Sequence, residues 1–187
     1  MSENAREAIL NAAKMAAQVH GYSGINFRSI GDVVGIKNAS IYYHFPSKAD
    51  LGAAVARRYW EDTVTALEVI RIANPDPAQS LAQYPSIFRI SLECDNKLCL
   101  SSFMAAEYHD LPAVVQSEVL AFADINVAWL ARVLGDLGLG DIKVCERRAR
   151  SIYTAVAGAQ LISRTRADIG VFDELIQSYR EAGLIPS

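Results

Sequence analysis

The sequence predicts an all-α protein of about nine helices, with a small domain of short helices at the N-terminus and a larger helical domain after it. Apolar residues recur every three or four positions through most of the chain, and no segment shows the alternating pattern of a strand. Prolines and glycines separate these periodic segments, where they end helices. With 51% apolar and 21% charged residues among 187, the chain has the composition of an ordinary globular protein.

Three short helices are predicted in the first part of the chain. The first ends at Gly21, and Asn26 is placed to cap a second helix over residues 28–34. Gly35 then supplies the left-handed backbone that a tight turn needs, and Pro46 ends the third helix by disfavouring helical geometry at the residue before it. This order of short helices matches the helix-turn-helix plan, in which the third helix enters the major groove of DNA.

The third helix lies in the segment Ile36 to Lys48, which reads IKNASIYYHFPSK. If Ile41 and Phe45 dock this helix onto the first two, its polar residues face away from the small core. Lysine and asparagine can read base edges, and serine, tyrosine and histidine can donate hydrogen bonds to phosphates. The alternative is a solvated helix face with half-buried tyrosines. The residues expected to face outward are Lys37, Asn38, Ser40, Tyr43 and His44.

A fourth helix is predicted to begin at Lys48, because Ser47 and Asp50 form an S-x-x-D capping pattern. A lysine at the first position of a helix is unfavourable for the helix dipole, which prefers acidic residues at that end. Lys48 and the helix N-terminus together would bind an anion, for which a DNA phosphate is the expected candidate. The alternative is an exposed lysine without such a role.

The pairs and runs G21-Y22, R28-S29-I30-G31 and G35-I36-K37-N38-A39-S40-I41-Y42-Y43-H44-F45-P46-S47-K48 resemble the N-terminal domain of the TetR family of transcriptional repressors. The resemblance covers about residues 6–55, and the spacing up to the Y-Y-H-F-x-S-K close is specific to that family. Four positions depart from the usual residues: Lys37 replaces a serine, Ala39 a glycine, Ala16 a phenylalanine and Gly31 an alanine. The changes at the third helix are expected to alter which operator is read.

The resemblance implies a homodimer that binds a palindromic operator and leaves it when a small molecule enters the C-terminal domain. It implies a DNA-binding domain over residues 1–48 and a ligand-binding and dimerisation domain over 49–187. Carried over position by position, Lys37, Asn38 and Ser40 approach bases. Contacts to the DNA backbone are implied for Arg28, Tyr42, Tyr43, His44 and Lys48.

The rest of the chain is predicted to be helical as well. Residues 48–73 contain no proline and one glycine, so a single helix of about 39 Å would connect the two domains. Small residues around Gly158 permit close helix approach, and the last two helices are the predicted dimer surface, the alternative being packing within one subunit. The further helices are predicted over 77–93, 98–110, 112–136, 141–168 and 171–183.

Two polar residues interrupt apolar stripes in the larger domain. Glu107 follows Leu100 and Met104 on one predicted helix face, and Asn126 lies between Phe122 and Trp129 on another. Each polar group either has a partner within the fold or orients a ligand in a mostly apolar pocket. The residues assigned to such a pocket are Trp60, Phe88, Leu92, Phe103, Met104, Glu107, Phe122, Asn126 and Trp129.

Charge and cysteine content exclude several classes of protein. The net charge is −3, yet residues 1–60 carry seven basic against four acidic residues, which leaves a modest excess for phosphate contact. Three cysteines are too few for a disulfide framework, and no metal-ligand spacing or cofactor motif is present. No apolar run reaches the roughly eighteen residues of a membrane span, and the N-terminus lacks the apolar core of a signal peptide. We therefore expect a cytoplasmic protein without metal or cofactor.

Three alternatives to ligand control remain open at this stage. Cys94 and Cys99 flank a polar loop and are expected to be accessible, so an electrophile or oxidant is a second possible signal, the favoured alternative being two ordinary thiols at the edges of helices. Cys145 is expected in the core. A DNA-binding adaptor controlled by a protein partner is a third. An enzyme using a cysteine with His109 and Glu107 is disfavoured, because no nucleophile elbow or oxyanion segment accompanies those residues.

Overall fold

Residues 2–186 are described by a computed structural model, and within them the chain forms ten α-helices and no strand. The predicted all-α class is therefore confirmed. Single 3-10 turns lie at Tyr22–Gly24 and Tyr108–Asp110. The helices are α1 Ser2–His20, α2 Phe27–Val34, α3 Asn38–His44, α4 Lys48–Ala73, α5 Pro77–Gln83, α6 Ser86–Glu93, α7 Leu100–Ala106, α8 Ala113–Asp136, α9 Ile142–Arg166 and α10 Ile169–Glu181.

Local signals placed most helix ends within about two residues, although the helix predicted over 98–110 ends at Ala106 and is followed by a 3-10 turn. Helix α4 has the predicted bounds, and Asn26 caps α2 by accepting a hydrogen bond from the Ser29 backbone N–H at 3.1 Å. The predicted helix over 77–93 is two helices instead, since Pro85 has no N–H to donate to the Leu81 carbonyl. The Tyr84 N–H donates to that carbonyl at 3.2 Å and closes α5.

The chain divides into two compact units, the first of which contains residues 1–60 and 100–121. Its core is formed by side chains from α1 to α4 together with α7 and the start of α8. Residues 100–121 are distant in sequence from the N-terminal helices yet pack into the same core. The predicted functional division after residue 48 stays a prediction. Representative core residues are Ile9, Ile30, Ile41, Leu51, Met104 and Val115, all at most 2% exposed.

The second unit contains residues 61–99 and 122–187. Helices α9 and α10 pack against each other in it, and α6 packs against both. Its centre holds large aromatic side chains and several buried polar ones, which distinguishes it from the almost wholly apolar core of the first unit. Tyr84, Phe88, Phe122 and Phe172 are large side chains of the second unit that are at most 1% exposed.

Helix α8 is the one helix among the described residues that is long and apolar enough to cross a membrane by length and composition. The expectation from the sequence rested on an uninterrupted apolar run, and α8 carries Glu118 and Asp124 within it. Buried residues of α8, among them Val115 and Trp129, lie in the cores of the two units, which accounts for part of its high hydropathy.

Candidate nucleic-acid interface

The turn between α2 and α3 depends on two glycines. Gly35 ends α2 with a φ of +76°, in the left-handed region that glycine enters without a steric penalty. A Cβ on Gly31 would lie 2.9 Å from the Ile36 carbonyl oxygen and 3.1 Å from Asn38 Oδ1. The absence of a side chain at Gly31 thus allows α3 to begin close against α2.

Helix α3 has a buried face and an exposed face, as predicted. Ile41 is fully buried and Phe45, just after the helix, is 3% exposed, so these two side chains hold α3 in the first unit. Lys37, Asn38 and Ser40 are exposed on the other side. Because these polar groups contribute little to the core, they are available to a partner molecule.

The two adjacent tyrosines of α3 differ in their surroundings. The Tyr42 ring packs edge-on against Phe27, with 4.8 Å between ring centroids, and remains 55% exposed. Tyr43 is 79% exposed and contacts the half-buried His44 ring at 5.1 Å. Tyr42 is therefore fixed in place by the fold, whereas Tyr43 projects into solvent.

Lys48 begins α4 behind the predicted cap. The Asp50 N–H donates to Ser47 Oγ at 3.1 Å, and the Ser47 hydroxyl donates to Asp50 Oδ2 at 2.7 Å. The Lys48 ammonium lies 4.5 Å from the Tyr22 ring centroid and donates to the Ser23 carbonyl at 3.3 Å. These two contacts direct the charge towards the turn before α2.

Four of the eight residues predicted to contact DNA line one surface groove of about 350 Å³, which we call the basic groove. Arg28 and Lys48 supply its positive charge. The other predicted residues, Lys37, Ser40, Tyr43 and His44, lie outside it on α3 or at its N-terminus. The groove is lined by Ser23, Ile25, Asn26, Phe27, Arg28, Asn38, Tyr42 and Lys48.

The nine residues predicted to bind a ligand are divided between the two units. In the first unit, Trp60 donates from Nε1 to Glu118 Oε2 at 2.8 Å, and the Glu107 carboxylate accepts from the Tyr22 N–H at 2.8 Å. Met104 is fully buried in the same unit, where Phe103 is half-buried. In the second unit lie Phe88, Leu92, Phe122, Asn126 and Trp129, all buried. Ligand contact by these nine residues stays a prediction.

Asn126 has partners within the second unit. Its Oδ1 accepts from the Tyr84 hydroxyl at 2.9 Å, and its Nδ2 donates to the Phe122 carbonyl at 2.8 Å. Burial raises the pKa of Tyr84 well above its usual value, so this hydroxyl stays protonated and acts as a donor. The Trp129 ring stacks on Tyr84 at 5.8 Å, and its buried Nε1 has no hydrogen-bond partner among the described residues.

Sequence reasoning did not identify Gln160, which is fully buried in α9. The Gln160 amide donates to the Phe88 carbonyl at 2.6 Å and accepts from the Cys99 N–H at 3.0 Å. It therefore ties α6 and the backbone at Cys99 to α9. In the sequence, Gln160 interrupts the apolar stripe that contains Val156 and Ala159. The same kind of interruption led to the prediction for Asn126, so this pattern could have identified Gln160 as well.

The expectation that Cys94 and Cys99 are both accessible is wrong for Cys99. Cys99 is 2% exposed, because its backbone is held by Gln160 inside the second unit. Cys94 is exposed, and the Lys97 ammonium lies 3.8 Å from its sulfur. Cys145 is buried, as predicted.

Sequence comparisons match the N-terminal part of the chain to known regulatory proteins. Residues 9–55 match the profile of "Bacterial regulatory proteins, tetR family". The HTH-type transcriptional repressor AcnR of Corynebacterium glutamicum is 34% identical over 67 residues, which cover 36% of this chain and 34% of AcnR. The AcnR of Corynebacterium diphtheriae is 35% identical over 65 residues. The aligned segment thus spans about a third of the length of these curated relatives.

Solved structures match nearly the whole chain. A TetR-family transcriptional regulator from Agrobacterium tumefaciens is 26% identical with a TM-score of 0.90, and the match covers 100% of both chains. A TetR transcriptional regulator from Legionella pneumophila is 28% identical with a TM-score of 0.87, covering 94% of this chain and 95% of that one. Residues 9–55 thus match the N-terminal segment of the TetR family of bacterial regulatory proteins, and nearly the whole chain has the fold of solved TetR-family regulators, with an N-terminal helix-turn-helix.

Proposed function

We propose that this protein is a cytoplasmic, sequence-specific DNA-binding repressor that leaves a palindromic operator when a small molecule binds. The observation that carries the proposal is the exposed polar face of α3 beside the basic groove. That surface combines base-reading side chains with two cations and is held by the buried face of the same helix. Phosphate contacts position a protein on DNA, and base contacts select the sequence.

The proposed roles divide according to side-chain chemistry. Lys37, Asn38 and Ser40 lie at the N-terminal end of α3, where helix-turn-helix proteins contact base edges. Arg28 and Lys48 are assigned to phosphates on the basis of their positive charge and their place in the basic groove. Tyr42, Tyr43 and His44 are assigned to the same role, and Tyr43 is the tyrosine with the more accessible hydroxyl.

A dimer through α9 and α10 would present two copies of α3 to the two halves of a palindrome. The outer face of α9 supports this assignment, because Leu161 and Ile162 are exposed apolar side chains and Gly158 lies exposed nearby. In such a dimer, the two copies of α3 would be about 34–36 Å apart, one turn of DNA. A ligand that favours a different separation would lower the affinity for DNA. By linkage, DNA would weaken ligand binding by the same factor.

A cleft of about 310 Å³ between α4 and α8 is the effector site that we favour within the second unit. Its lining is mostly apolar, with the charged pair Glu68 and Arg132 at one side, which is the usual composition of a ligand site. Trp129 lines the cleft, and its buried Nε1 has no acceptor within the part of the chain that the structure describes. The residues lining the cleft are Val64, Leu67, Glu68, Ile125, Ala128, Trp129 and Arg132.

Selection of bound sequences from a random duplex DNA library tests the regulator proposal. The protein is first refolded from denaturant to remove any bound small molecule, and its folding and dimeric state are verified. Enrichment of a palindrome is the expected result. If folded dimer enriches no sequence, the proposed function is wrong.

The effector proposal is tested with the selected operator. A compound that releases the protein from this DNA should bind the free protein more tightly than the DNA complex. Trp129→Phe should change the ligand concentration needed for release without changing affinity for DNA. Val69→Ala, which changes an exposed apolar side chain of α4, is the matched control. Equal ligand responses in both variants and in the unmodified protein would remove the cleft as the effector site.

A second candidate signal is a thiol reagent or oxidant acting at Cys94. The Cys94 thiol is exposed, with the Lys97 ammonium 3.8 Å from its sulfur, so a reagent can reach it. N-ethylmaleimide should then release DNA from the protein but not from its Cys94→Ser variant. If release occurs equally in both, or in neither, Cys94 is not the sensor. Failure of both small molecules and thiol reagents would favour control by a protein partner.

A further inference from the structure

Glu107 bridges two parts of the first unit that are far apart in sequence. Its side chain follows α7, and Oε2 accepts a hydrogen bond from the Tyr22 backbone N–H, 85 residues earlier in the chain, at 2.8 Å. A hydrogen bond to a carboxylate is stronger than one between neutral groups. This bond therefore fixes the position of the turn between α1 and α2.

Gly21 shows how closely the carboxylate packs against this turn. Its φ is +65°, and a Cβ built on it would lie 2.4 Å from both carboxylate oxygens of Glu107. A side chain at this position would have to displace the carboxylate as well as adopt a strained backbone. The turn thus has both the conformation and the open space that the Glu107 contact requires.

The same turn holds Lys48. The Tyr22 ring lies under the Lys48 ammonium at 4.5 Å, and the Ser23 carbonyl accepts from that ammonium at 3.3 Å. Tyr22 also lies against α4, because a Cβ on Gly52 would be 2.6 Å from its ring. A continuous series of contacts therefore runs from the Glu107 carboxylate through the turn to the cation of the basic groove.

We infer that Glu107 is a positioning residue for DNA binding, which acts through the Gly21–Gly24 turn to hold the Lys48 ammonium in place for a phosphate. The inference rests on the proposed function of the basic groove. In this role the acidic side chain of Glu107 strengthens binding to DNA, which is itself negatively charged. General electrostatics predicts the opposite sign, because removing a negative charge strengthens binding to DNA.

The experiment measures the affinity of the full-length protein for the selected operator as a function of salt concentration. Glu107→Ala should weaken binding about fivefold and reduce the salt slope by about one, the same change in slope as Lys48→Ala. In a Lys48→Ala background, Glu107→Ala should cause no further loss of slope. Glu107→Gln keeps an oxygen acceptor for the Tyr22 N–H and should remain within about twofold of the unmodified protein.

Asp110→Ala is the matched control, since it removes an exposed carboxylate three residues further along the chain. It should leave binding unchanged or slightly stronger. The inference is overturned if Glu107→Ala behaves like Asp110→Ala. It is also overturned if Glu107→Gln loses as much affinity as Glu107→Ala, because keeping an oxygen acceptor for the Tyr22 N–H would then have no effect on DNA binding.

A measurement without DNA separates this inference from the proposed function. The Tyr22 amide should exchange slowly with solvent in the unmodified, DNA-free protein and in Glu107→Gln. Rapid exchange in the unmodified protein would show that the contact is not maintained in solution and would overturn the inference, even if Glu107→Ala does not fold. If the amide is protected but no DNA sequence is enriched, the proposed function fails and the role of Glu107 in DNA binding fails with it.

Discussion

The exposed face of α3 and the buried centre of the second unit use polar side chains in opposite ways. On α3 and at its N-cap, Lys37, Asn38 and Tyr43 are exposed, so their polar groups contribute little to the fold. In the second unit, Asn126 and Gln160 are fully buried, and their hydrogen bonds are made within the protein at 2.6–3.0 Å. Exposed polar groups on a short, well-anchored helix indicate an external partner, whereas satisfied buried groups indicate a structural role.

The largest expected effect comes from comparing a substitution on the buried face of α3 with one on its exposed face. Ile41→Ala should destabilise the protein by about 3 kcal/mol, because it removes a fully buried side chain and leaves a cavity. Tyr43→Ala, two residues away and 79% exposed, should change stability by less than about 0.5 kcal/mol while weakening DNA binding. Urea unfolding measures the stability changes of the two variants. Equal stability losses would contradict the assignment of the two faces.

A smaller loss is expected from the buried network of the second unit. Asn126→Ala should cost about 2 kcal/mol, since it leaves the Tyr84 hydroxyl buried without its acceptor. Tyr84→Phe should cost about 1 kcal/mol, because it removes the donor but keeps the ring. Urea unfolding measures the losses, and the sequence selected by the protein should not change. An unchanged stability in Asn126→Ala would mean that the amide is not structural.

Asn38→Ala tests base reading on the exposed face. It should reduce discrimination at one base pair of each half-site by about 1–2 kcal/mol, because an asparagine can make paired hydrogen bonds to adenine. Selection with the variant should then relax preference at that position only. A uniform loss of affinity for all sequences would place Asn38 on the backbone instead.

Lys48→Ala tests phosphate contact in the basic groove. It should weaken binding to all sequences by about 1 kcal/mol and reduce the salt slope by about one. Titration of operator and of unrelated duplexes at several salt concentrations measures both quantities. If the slope is unchanged, the phosphate role of Lys48 is wrong.

The smallest expected effect is on the pH dependence of stability and concerns Glu118. One of its hydrogen-bond partners is Trp60, which was predicted to bind ligand. Burial raises the pKa of this carboxyl, but hydrogen bonds from Arg57 and Trp60 lower it more, and the net pKa is below its usual value. Stability from this group is therefore present above the unfolded pKa of about 4.3 and lost as pH falls through the lower folded pKa. Glu118→Gln should show a smaller loss of unfolding free energy between pH 6 and pH 3. An unchanged pH dependence would mean that this carboxyl does not contribute.

Local sequence determined the all-α class, the caps at Asn26 and Ser47, the bounds of α4 and the two faces of α3. Each of these depends on residues within about one or two helical turns, where spacing, capping and glycine or proline chemistry act directly. The residues proposed to contact DNA could be predicted from the sequence for the same reason. They lie on one short helix and beside it. Because Ile41 docks this helix onto the core, its position in the sequence identifies the opposite side as the exposed one.

Tertiary structure alone decided which partners the distant polar groups have. Glu107 binds a backbone N–H 85 residues away, Tyr84 and Asn126 are 42 residues apart, and Cys99 is buried by a contact with Gln160, 61 residues further on. The spacing of apolar residues along one helix shows that a polar side chain lies among apolar neighbours. It does not predict which residue on another helix will be its hydrogen-bond partner. That identity follows from how the helices pack, which depends on the whole core at once.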